Sequence, residues 1–269
     1  MSDAKPVADT WEVGNAYERY VGRWSRHVAP RFLAWLGEPA GRRWLDVGCG
    51  TGALCGTILS ACAPASVAGV EPSDGFRATA RDHLGDAVAL HKGSATAIPL
   101  GDASVDVVVS GLVLNFVADH RAALAEMARV VAPGGTIAAY VWDYAEGMQF
   151  MRHFWDAAIA LDPRGPEVDE GRRFPVCRPE ALRTLFEGQR LQRVDVTGLV
   201  IDTTFADFDD FWQPFLGGQG AAPAYLMALE APAREAIRER IRAGLPVGDD
   251  GSIPLTARAW AVRGTVGSA

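Results

Sequence analysis

An acid followed by three glycines at alternate positions is the stretch of the chain with the clearest chemical potential. Asp46 closes an apolar run, and Gly48, Gly50 and Gly52 follow it. Glycine has no Cβ, so it adopts positive φ readily and lets a ligand lie against bare backbone. The apolar residues after Gly52 predict a helix, whose N-terminal amide groups would point at such a ligand. An anionic side chain ahead of the turn would repel a pyrophosphate but attract an ammonium group.

Alternating strands and helices are predicted around this turn. The predicted strands are 43–47, 66–71, 87–91, 105–109 and 136–142, and the predicted helices between them are 52–61, 74–84 and 119–131. The continuous branched residues of 105–109 are typical of a parallel strand that is covered on both faces. This alternation predicts a doubly wound α/β sheet, in which ligands bind at the carboxyl ends of the strands.

The segment 46–52 resembles the D-x-G-x-G-x-G motif of class I S-adenosylmethionine-dependent methyltransferases. Three later features resemble the same family in the same order: the acid Glu71, the loop 92–100 and the turn Pro133-Gly134-Gly135. The resemblance implies a Rossmann-like fold with a mostly parallel seven-stranded sheet, an antiparallel C-terminal hairpin and a helical cap insertion. It also implies S-adenosylmethionine as the cofactor. Within the family, the sequence resembles the small-molecule branch that includes the ubiquinone and menaquinone biosynthesis methyltransferases.

The resemblance also implies roles for individual residues. Asp46 is expected to orient the amino group of the cofactor, and Glu71 to accept hydrogen bonds from both ribose hydroxyls. Ser94 stands where the family usually has an aspartate that accepts from the adenine amino group, and a neutral acceptor is the weaker one. The predicted cofactor-binding residues are Asp46, Gly48, Cys49, Gly50, Glu71, Pro72, Ser94, Ala95, Ser110, Leu112, Arg23 and Tyr20.

Substrate contacts are predicted at the strand ends and in the cluster of aromatic and cationic residues at 17–24. The predicted substrate residues are Tyr17, Asn115, Trp142 and Asp143. The alternatives are that the aromatic residues cover a sheet edge and that Asn115 caps a helix. No catalytic residue is singled out, because a base is needed only if the acceptor must lose a proton. The candidate bases or anchors are Tyr17, Tyr20, Asp143, His153 and Asn115.

The 269 residues, of which 49% are hydrophobic, predict a single methyltransferase domain over 1–269. Residues 1–40 are expected to form an N-terminal helical cap, in which Pro30 breaks or restarts the helix. Residues 41–142 are the expected cofactor-binding core. The segments 143–180 and 205–250 are expected to form a substrate cap or lid, and 163–175 is expected to be a flexible loop. The segment 205–250 could instead support a sheet edge or an oligomer interface.

Composition argues against several classes of partner. The net charge of -7 does not favour nucleic-acid binding, which uses a basic surface. No apolar run is long enough to span a membrane, and the first residues lack the apolar segment of a signal peptide, so a cytoplasmic location is expected. Neither a disulfide nor a metal site is expected, because no C-x-x-C pair or zinc-like spacing occurs. The four cysteines are Cys49, Cys55, Cys62 and Cys177.

The sequence therefore predicts in-line transfer of a methyl group from S-adenosylmethionine to a small, largely apolar metabolite. One alternative is a protein that binds S-adenosylmethionine or S-adenosylhomocysteine without turnover. Another is an NAD-dependent oxidoreductase, because Gly48, Gly50 and Ala53 also fit G-x-G-x-x-G/A. A tRNA or protein methyltransferase would need a basic or open surface. Homo-oligomerisation is left open.

Overall fold

The computed structural model describes residues 22–162, 165–217 and 220–267. The chain divides into two compact units. The sheet unit comprises Arg26–Val141, Val176–Leu199 and 259–267, and the aromatic unit comprises the described parts of 22–25, 142–175 and Val200–Arg258. Among the described residues, no helix combines the length and the apolar character needed to cross a bilayer.

Seven strands form one sheet. They are β1 (Arg43–Val47), β2 (Ser66–Glu71), β3 (Ala89–Lys92), β4 (Val105–Gly111), β5 (Val131–Trp142), β6 (Gln192–Asp202) and β7 (Thr256–Thr265). Their order across the sheet is β3-β2-β1-β4-β5-β7-β6. The first five strands pair in parallel, with Trp44 beside both Val67 and Val107. The central strands β1 and β4 are almost wholly buried, as expected for parallel strands covered on both faces.

The C-terminal strands run antiparallel, as predicted. The N–H of Gly134 donates to the carbonyl of Val266, and the N–H of Val266 donates to the carbonyl of Gly135, each at 3.0 Å. The end of β7 also lies beside the start of β6, where the Thr265 hydroxyl donates to the carbonyl of Gln192. The predicted doubly wound sheet with an antiparallel C-terminal pair is therefore confirmed.

Eleven helices are described along the chain. They are α1 (Arg23–Leu36), α2 (Ala53–Ala61), α3 (Asp74–Leu84), α4 (His120–Val130), α5 (Gln149–Leu161), α6 (Gly165–Val168), α7 (Glu170–Arg173), α8 (Pro179–Gly188), α9 (Phe208–Trp212), α10 (Ala221–Met227) and α11 (Ala231–Gly244). Ser73 caps α3 by accepting from the N–H of Phe76, and Asp119 caps α4 by accepting from that of Ala122.

Two local predictions are wrong. The helix α1 continues through Pro30, because a proline removes one intrahelical hydrogen bond without preventing the neighbouring turns from forming. The segment Pro133-Gly134-Gly135 lies inside β5 instead of forming a separate turn. Val105 pairs with Val131 and Val107 with Thr136, so β5 bulges between these two pairs.

The aromatic unit has a core of its own, built from phenylalanine rings that α5, α9 and their neighbours supply. The ring centroid of Phe150 lies 4.5 Å from that of Phe215 and 5.2 Å from that of Phe205. Phe154 stacks on Phe215 at 4.6 Å. All four rings are buried, and such ring pairs add stability beyond the burial of their area.

Residues 165–173, which lie in the predicted flexible loop, form the short helices α6 and α7. The buried carboxylate of Asp169 accepts from the guanidinium of Arg152 at 2.8 Å and from the N–H of Gly171 at 2.9 Å. The indole N–H of Trp155 donates to Glu170. These contacts fix the segment, so the loop prediction is wrong for its described residues. The role of the segment as a cap or lid stays a prediction.

Candidate functional site

The turn between β1 and α2 contains three glycines with positive φ, which are +76° at Gly48, +53° at Gly50 and +90° at Gly52. A Cβ at Gly48 would lie 2.5 Å from the side chain of Val113, and one at Gly52 would overlap Leu84. Packing therefore requires glycine at both positions. A Cβ at Gly50 would meet no atom within 4 Å. Gly50 thus leaves open backbone of the kind that a closely bound ligand covers.

Asp46 lies near the end of β1 with a side chain that is 1% exposed. The thiol of Cys55 donates to its Oδ2 at 3.3 Å. Its Oδ1 is buried and has no hydrogen-bond partner among the residues that the structure describes. Burial raises the pKa of Asp46 to about 7; the Cys55 bond lowers it, and the nearby charge of Glu71 adds to the rise. A buried carboxylate oxygen without a donor fits a cationic group of a ligand.

Glu71 ends β2 and is 7% exposed. Its Oε2 accepts from the N–H of Gly50 at 3.1 Å, and its Oε1 accepts from the N–H of Ser73 at 2.9 Å. An ionised carboxylate has about four acceptor sites, so both oxygens can still accept from hydroxyl groups. Glu71 therefore connects the glycine turn to the loop after β2 and keeps the capacity predicted for ribose binding.

The loop after β3 is closed on itself and anchored from α4. Ser94 and Ala97 exchange backbone hydrogen bonds of 3.4 and 3.1 Å. The guanidinium of Arg129 donates to the carbonyls of Leu100 and Ile98 at 2.8 and 2.9 Å. Arg129 was not among the predicted site residues. Only its place in the last turn of a predicted helix was visible in the sequence, and nothing local indicated that it would reach back to this loop.

Three predicted residues lie at the end of β4 or just after it, and their surroundings differ. The buried hydroxyl of Ser110 donates to the carbonyl of Val47 at 2.9 Å, so its proton is used inside the sheet. Leu112 has a φ of +61°, and its N–H donates to the carbonyl of Tyr140. Asn115 is 8% exposed, and its Nδ2 has no partner among the described residues. The alternative that Asn115 caps a helix is wrong, because Asp119 caps α4.

The remaining residues of the predicted cofactor set in the sheet unit are Cys49, Pro72 and Ala95. Cys49 is buried, and its N–H donates to the carbonyl of Val70 at 3.1 Å. Pro72 is exposed, and Ala95 is half-buried. The sheet order places β1 between β2 and β4, so the strand order reverses at β1. Ligands of open α/β sheets bind at such a switch point, beyond the carboxyl ends of the strands.

Three predicted site residues belong to the aromatic unit, where two of them form ion pairs and the third is buried. The guanidinium of Arg23 donates to Asp210 at 2.8 Å and lies over the ring of Phe205. The buried carboxylate of Asp143 accepts from Nε of Arg258 at 2.8 Å. Trp142 is buried. Their assignment to cofactor or substrate stays a prediction.

Other candidate bases or anchors differ in what the structure describes. His153 is half-buried, and burial lowers the pKa of its imidazole. Tyr17 and Tyr20 lie outside the described residues. Within the described part of the chain, no group of three or more His, Cys, Asp or Glu side chains is arranged to hold a metal ion.

Residues 45–139 match the methyltransferase domain family. A malonyl-[acyl-carrier protein] O-methyltransferase of Methylococcus capsulatus is 32% identical over 149 residues, which are 51% of this chain and 54% of that protein. A trans-aconitate 2-methyltransferase of an Acidovorax species is 28% identical over 178 residues, which are 62% of this chain and 67% of that protein. The chain thus spans about half to two thirds of the length of these two relatives.

Solved structures share the fold at low sequence identity. A putative methyltransferase from Bacillus halodurans has a TM-score of 0.60 with 13% identity, over 89% of this chain and 99% of that one. The phosphoethanolamine N-methyltransferase 2 of Haemonchus contortus, solved with S-adenosylhomocysteine, has a TM-score of 0.57 with 17% identity. That match covers 95% of this chain and 57% of the other.

The sheet order, the glycine turn and the acids at the ends of β1 and β2 define the fold of class I S-adenosylmethionine-dependent methyltransferases. Within this fold class, the match to the methyltransferase domain family covers residues 45–139. The cofactor of the domain is S-adenosylmethionine, and the residues present fit it, because no described residue donates to the buried Oδ1 of Asp46 and Gly50 leaves open backbone.

Proposed function

We propose that the protein transfers a methyl group from S-adenosylmethionine to a small, largely apolar metabolite. The observation that carries the proposal is the buried, unpartnered Oδ1 of Asp46, together with the open backbone at Gly50. A pyrophosphate would place negative charge against this carboxylate, which is unfavourable at low solvent exposure. An amino acid ammonium group would instead supply the missing donor. This favours S-adenosylmethionine over NAD as the ligand.

When bound, S-adenosylmethionine would supply an activated methyl group on its sulfonium, to which the acceptor would bond as the carbon–sulfur bond breaks in line and neutral S-adenosylhomocysteine leaves. The residues of this chain bind and orient the two reactants. Asp46 accepts from the amino group, Glu71 from the ribose hydroxyls, and the loop at Ser94 and Ala95 faces adenine. Holding reactants in a near-attack geometry, away from water, is the main catalytic contribution that such a reaction needs.

Asn115 is the residue that we propose to face the acceptor. Its amide is nine-tenths buried, and its Nδ2 has no partner among the described residues, so it can donate to an acceptor oxygen. An unpaired buried amide N–H costs stability, and a bound oxygen would remove that cost. No general base is assigned, because an acceptor that is already ionised needs none.

A carboxylic acid is the second class of acceptor to consider. Malonyl-[acyl-carrier protein] and trans-aconitate, which the names of the two relatives give, are both acids. A carboxylate is ionised at neutral pH and would be methylated on oxygen without a base. The acceptor panel for this protein should therefore contain apolar alcohols, phenols and amines on one side and mono- and dicarboxylic acids on the other.

Two measurements test the proposal. Calorimetric titrations with S-adenosylmethionine, S-adenosylhomocysteine and NAD should detect binding of the first two only. A methyl-release assay over the acceptor panel should then give turnover with at least one class. Binding of NAD in place of S-adenosylmethionine would refute the proposal. Binding of S-adenosylmethionine without turnover on any acceptor would favour the non-catalytic alternative. The cytoplasmic location and the oligomeric state stay predictions.

A further inference from the structure

A cavity lies in the sheet unit, at the edge opposite to the candidate cofactor site. Its volume is about 350 Å³, which is at the lower end of the range for small-molecule sites. Arg42 directly precedes β1, and Thr136 lies in the first half of β5. The cavity therefore borders the amino ends of parallel strands, whereas Asp46 and Glu71 lie towards the carboxyl ends. Its lining includes the three guanidinium groups of Arg42, Arg193 and Arg263.

Arg42 has a hydrogen-bond donor that no described residue accepts from. The carboxylate of Glu38 accepts from the hydroxyl of Thr136 at 2.6 Å. Its second oxygen lies 3.7 Å from Nε of Arg42, which is an ion-pair distance but too long for a hydrogen bond. This Nε is buried and has no hydrogen-bond partner among the described residues. A buried charged donor without an acceptor is energetically costly, and an acceptor atom of a ligand in the cavity would remove that cost.

Arg263 is a fixed positive charge in the cavity wall. Its Nη1 donates to the carbonyls of Trp35 and Leu36 at 3.2 Å each, where α1 ends. Its Nη2 donates to Asp195 at 3.3 Å, and the guanidinium lies 4.7 Å from the centroid of the Trp35 ring. The helix end and the ring together hold the guanidinium in place. The position of this charge is thus set before any ligand arrives.

Arg193 is the least constrained of the three. It lies in β6 with a φ of +52°, a backbone conformation that bulges adopt and that redirects a side chain. Its side chain is exposed, and its Nε donates a long hydrogen bond of 3.4 Å to the hydroxyl of Thr265. Among the described residues it has no carboxylate within ion-pair distance. Its charge is therefore available to a ligand.

We propose that this cavity binds a small molecule through a phosphoryl group. Three guanidinium groups and the carboxylate of Glu38 leave two excess positive charges in the lining, and Asp195, which is ion-paired with Arg263, reduces the local excess to one. This positive excess favours the anionic oxygens of a phosphate monoester. Planar guanidinium groups suit phosphoryl oxygens, which they can meet with two parallel hydrogen bonds. Gly134 and Gly264 contribute backbone to the lining. The proposal does not depend on the proposed methyl transfer.

The test compares wild-type protein with the variants Arg193→Gln and Arg190→Gln. Arg190 is a matched control, since it is also exposed and has a φ of +58°, but does not line the cavity. Calorimetry with inorganic phosphate and with glycerol 3-phosphate, at ionic strength fixed with sodium chloride, should detect saturable binding to wild-type and Arg190→Gln protein. Loss of one charge-assisted contact should weaken binding to Arg193→Gln about ten-fold or more.

A third variant predicts a change of opposite sign. Glu38→Gln removes the negative charge from the lining, while the amide oxygen can still accept from Thr136, so phosphate should bind several-fold more tightly. Tighter binding of glycerol 3-phosphate than of inorganic phosphate would identify a phosphorylated metabolite as the source of the group, and equal binding would identify free phosphate. Absence of saturable binding at millimolar ligand, or equal affinity in wild-type and Arg193→Gln protein, would overturn the proposal.

Discussion

Replacing Asp46 with asparagine should stabilise the protein without cofactor at alkaline pH while weakening its binding of S-adenosylmethionine. Burial raises the pKa of Asp46 to about 7 in the folded protein, whereas an unfolded aspartate has a pKa of about 3.9. The unfolded chain therefore loses this proton first as the pH rises. Between these two values the folded state binds more protons, so this group makes the free energy of unfolding fall as the pH increases. The loss is complete above pH 7 and amounts to about 4 kcal/mol.

The asparagine side chain carries no charge and escapes this loss, but its amide N–H would lack a partner. That unsatisfied donor costs about 1–3 kcal/mol, so the net gain at pH 8 should be about 2 kcal/mol. The difference in unfolding free energy between Asp46→Asn and wild type should grow by about 2 kcal/mol from pH 5 to pH 7, whatever the packing cost. Urea unfolding of the cofactor-free proteins at several pH values measures this difference.

The variant Asp106→Asn provides a control of opposite sign. The hydrogen bond from Arg43 is the main reason that the pKa of Asp106 is lowered to about 2, so its carboxylate stabilises the fold above the unfolded pKa and loses that effect in acid. Asp106→Asn should therefore destabilise the protein at pH 7 and have little effect near pH 2. A difference for Asp46→Asn that stays constant from pH 5 to pH 8 would refute the argument that a buried, unpaired carboxylate is present.

Four further variants test ligand binding and stability. Gly50→Ala and Gly41→Ala both introduce a side chain at positive φ with open space around it, so each should cost about 1 kcal/mol in thermal unfolding, but only Gly50→Ala should weaken S-adenosylmethionine binding in calorimetry. Phe154→Ala removes a fully buried ring and should lower the free energy of unfolding in urea by about 3–5 kcal/mol. Asp143→Asn weakens the ion pair between a buried carboxylate and Arg258, so it should lower the free energy of unfolding by about 2 kcal/mol. An unchanged free energy of unfolding would contradict the assigned pairing.

The parts of the fold that local signals determine could be predicted from the sequence. The bounds of β1, β2 and α3 coincide with the predicted ones, because a glycine turn, a terminal acid and the Ser73 cap mark them within a few residues. The place of Asp46 and Glu71 at neighbouring strand ends followed from the alternation of strands and helices. What could not be predicted was that Asp46 has an oxygen without a donor, since that depends on packing around the turn.

Features that depend on distant parts of the chain were missed or predicted wrongly. The helix continues at Pro30 because the neighbouring helical turns compensate for the lost hydrogen bond. The segment Pro133-Gly134-Gly135 forms a bulge inside β5 because it pairs with both β4 and the C-terminal strand. The cavity with Arg42, Arg193 and Arg263 forms only because β7 runs antiparallel between β5 and β6. No local pattern in the sequence indicates which arginines such a strand order will bring together.

The carboxylate of Glu71 accepts hydrogen bonds from the backbone amides of both Gly50 and Ser73. Two loops that follow different strands are thereby coupled through a single side chain. A ligand hydroxyl that draws on the same oxygens changes the restraint on both loops at once. The exchange rates of these two amide hydrogens with solvent should therefore change together. Binding of a single ligand at the candidate cofactor site would then be detectable at both Gly50 and Ser73.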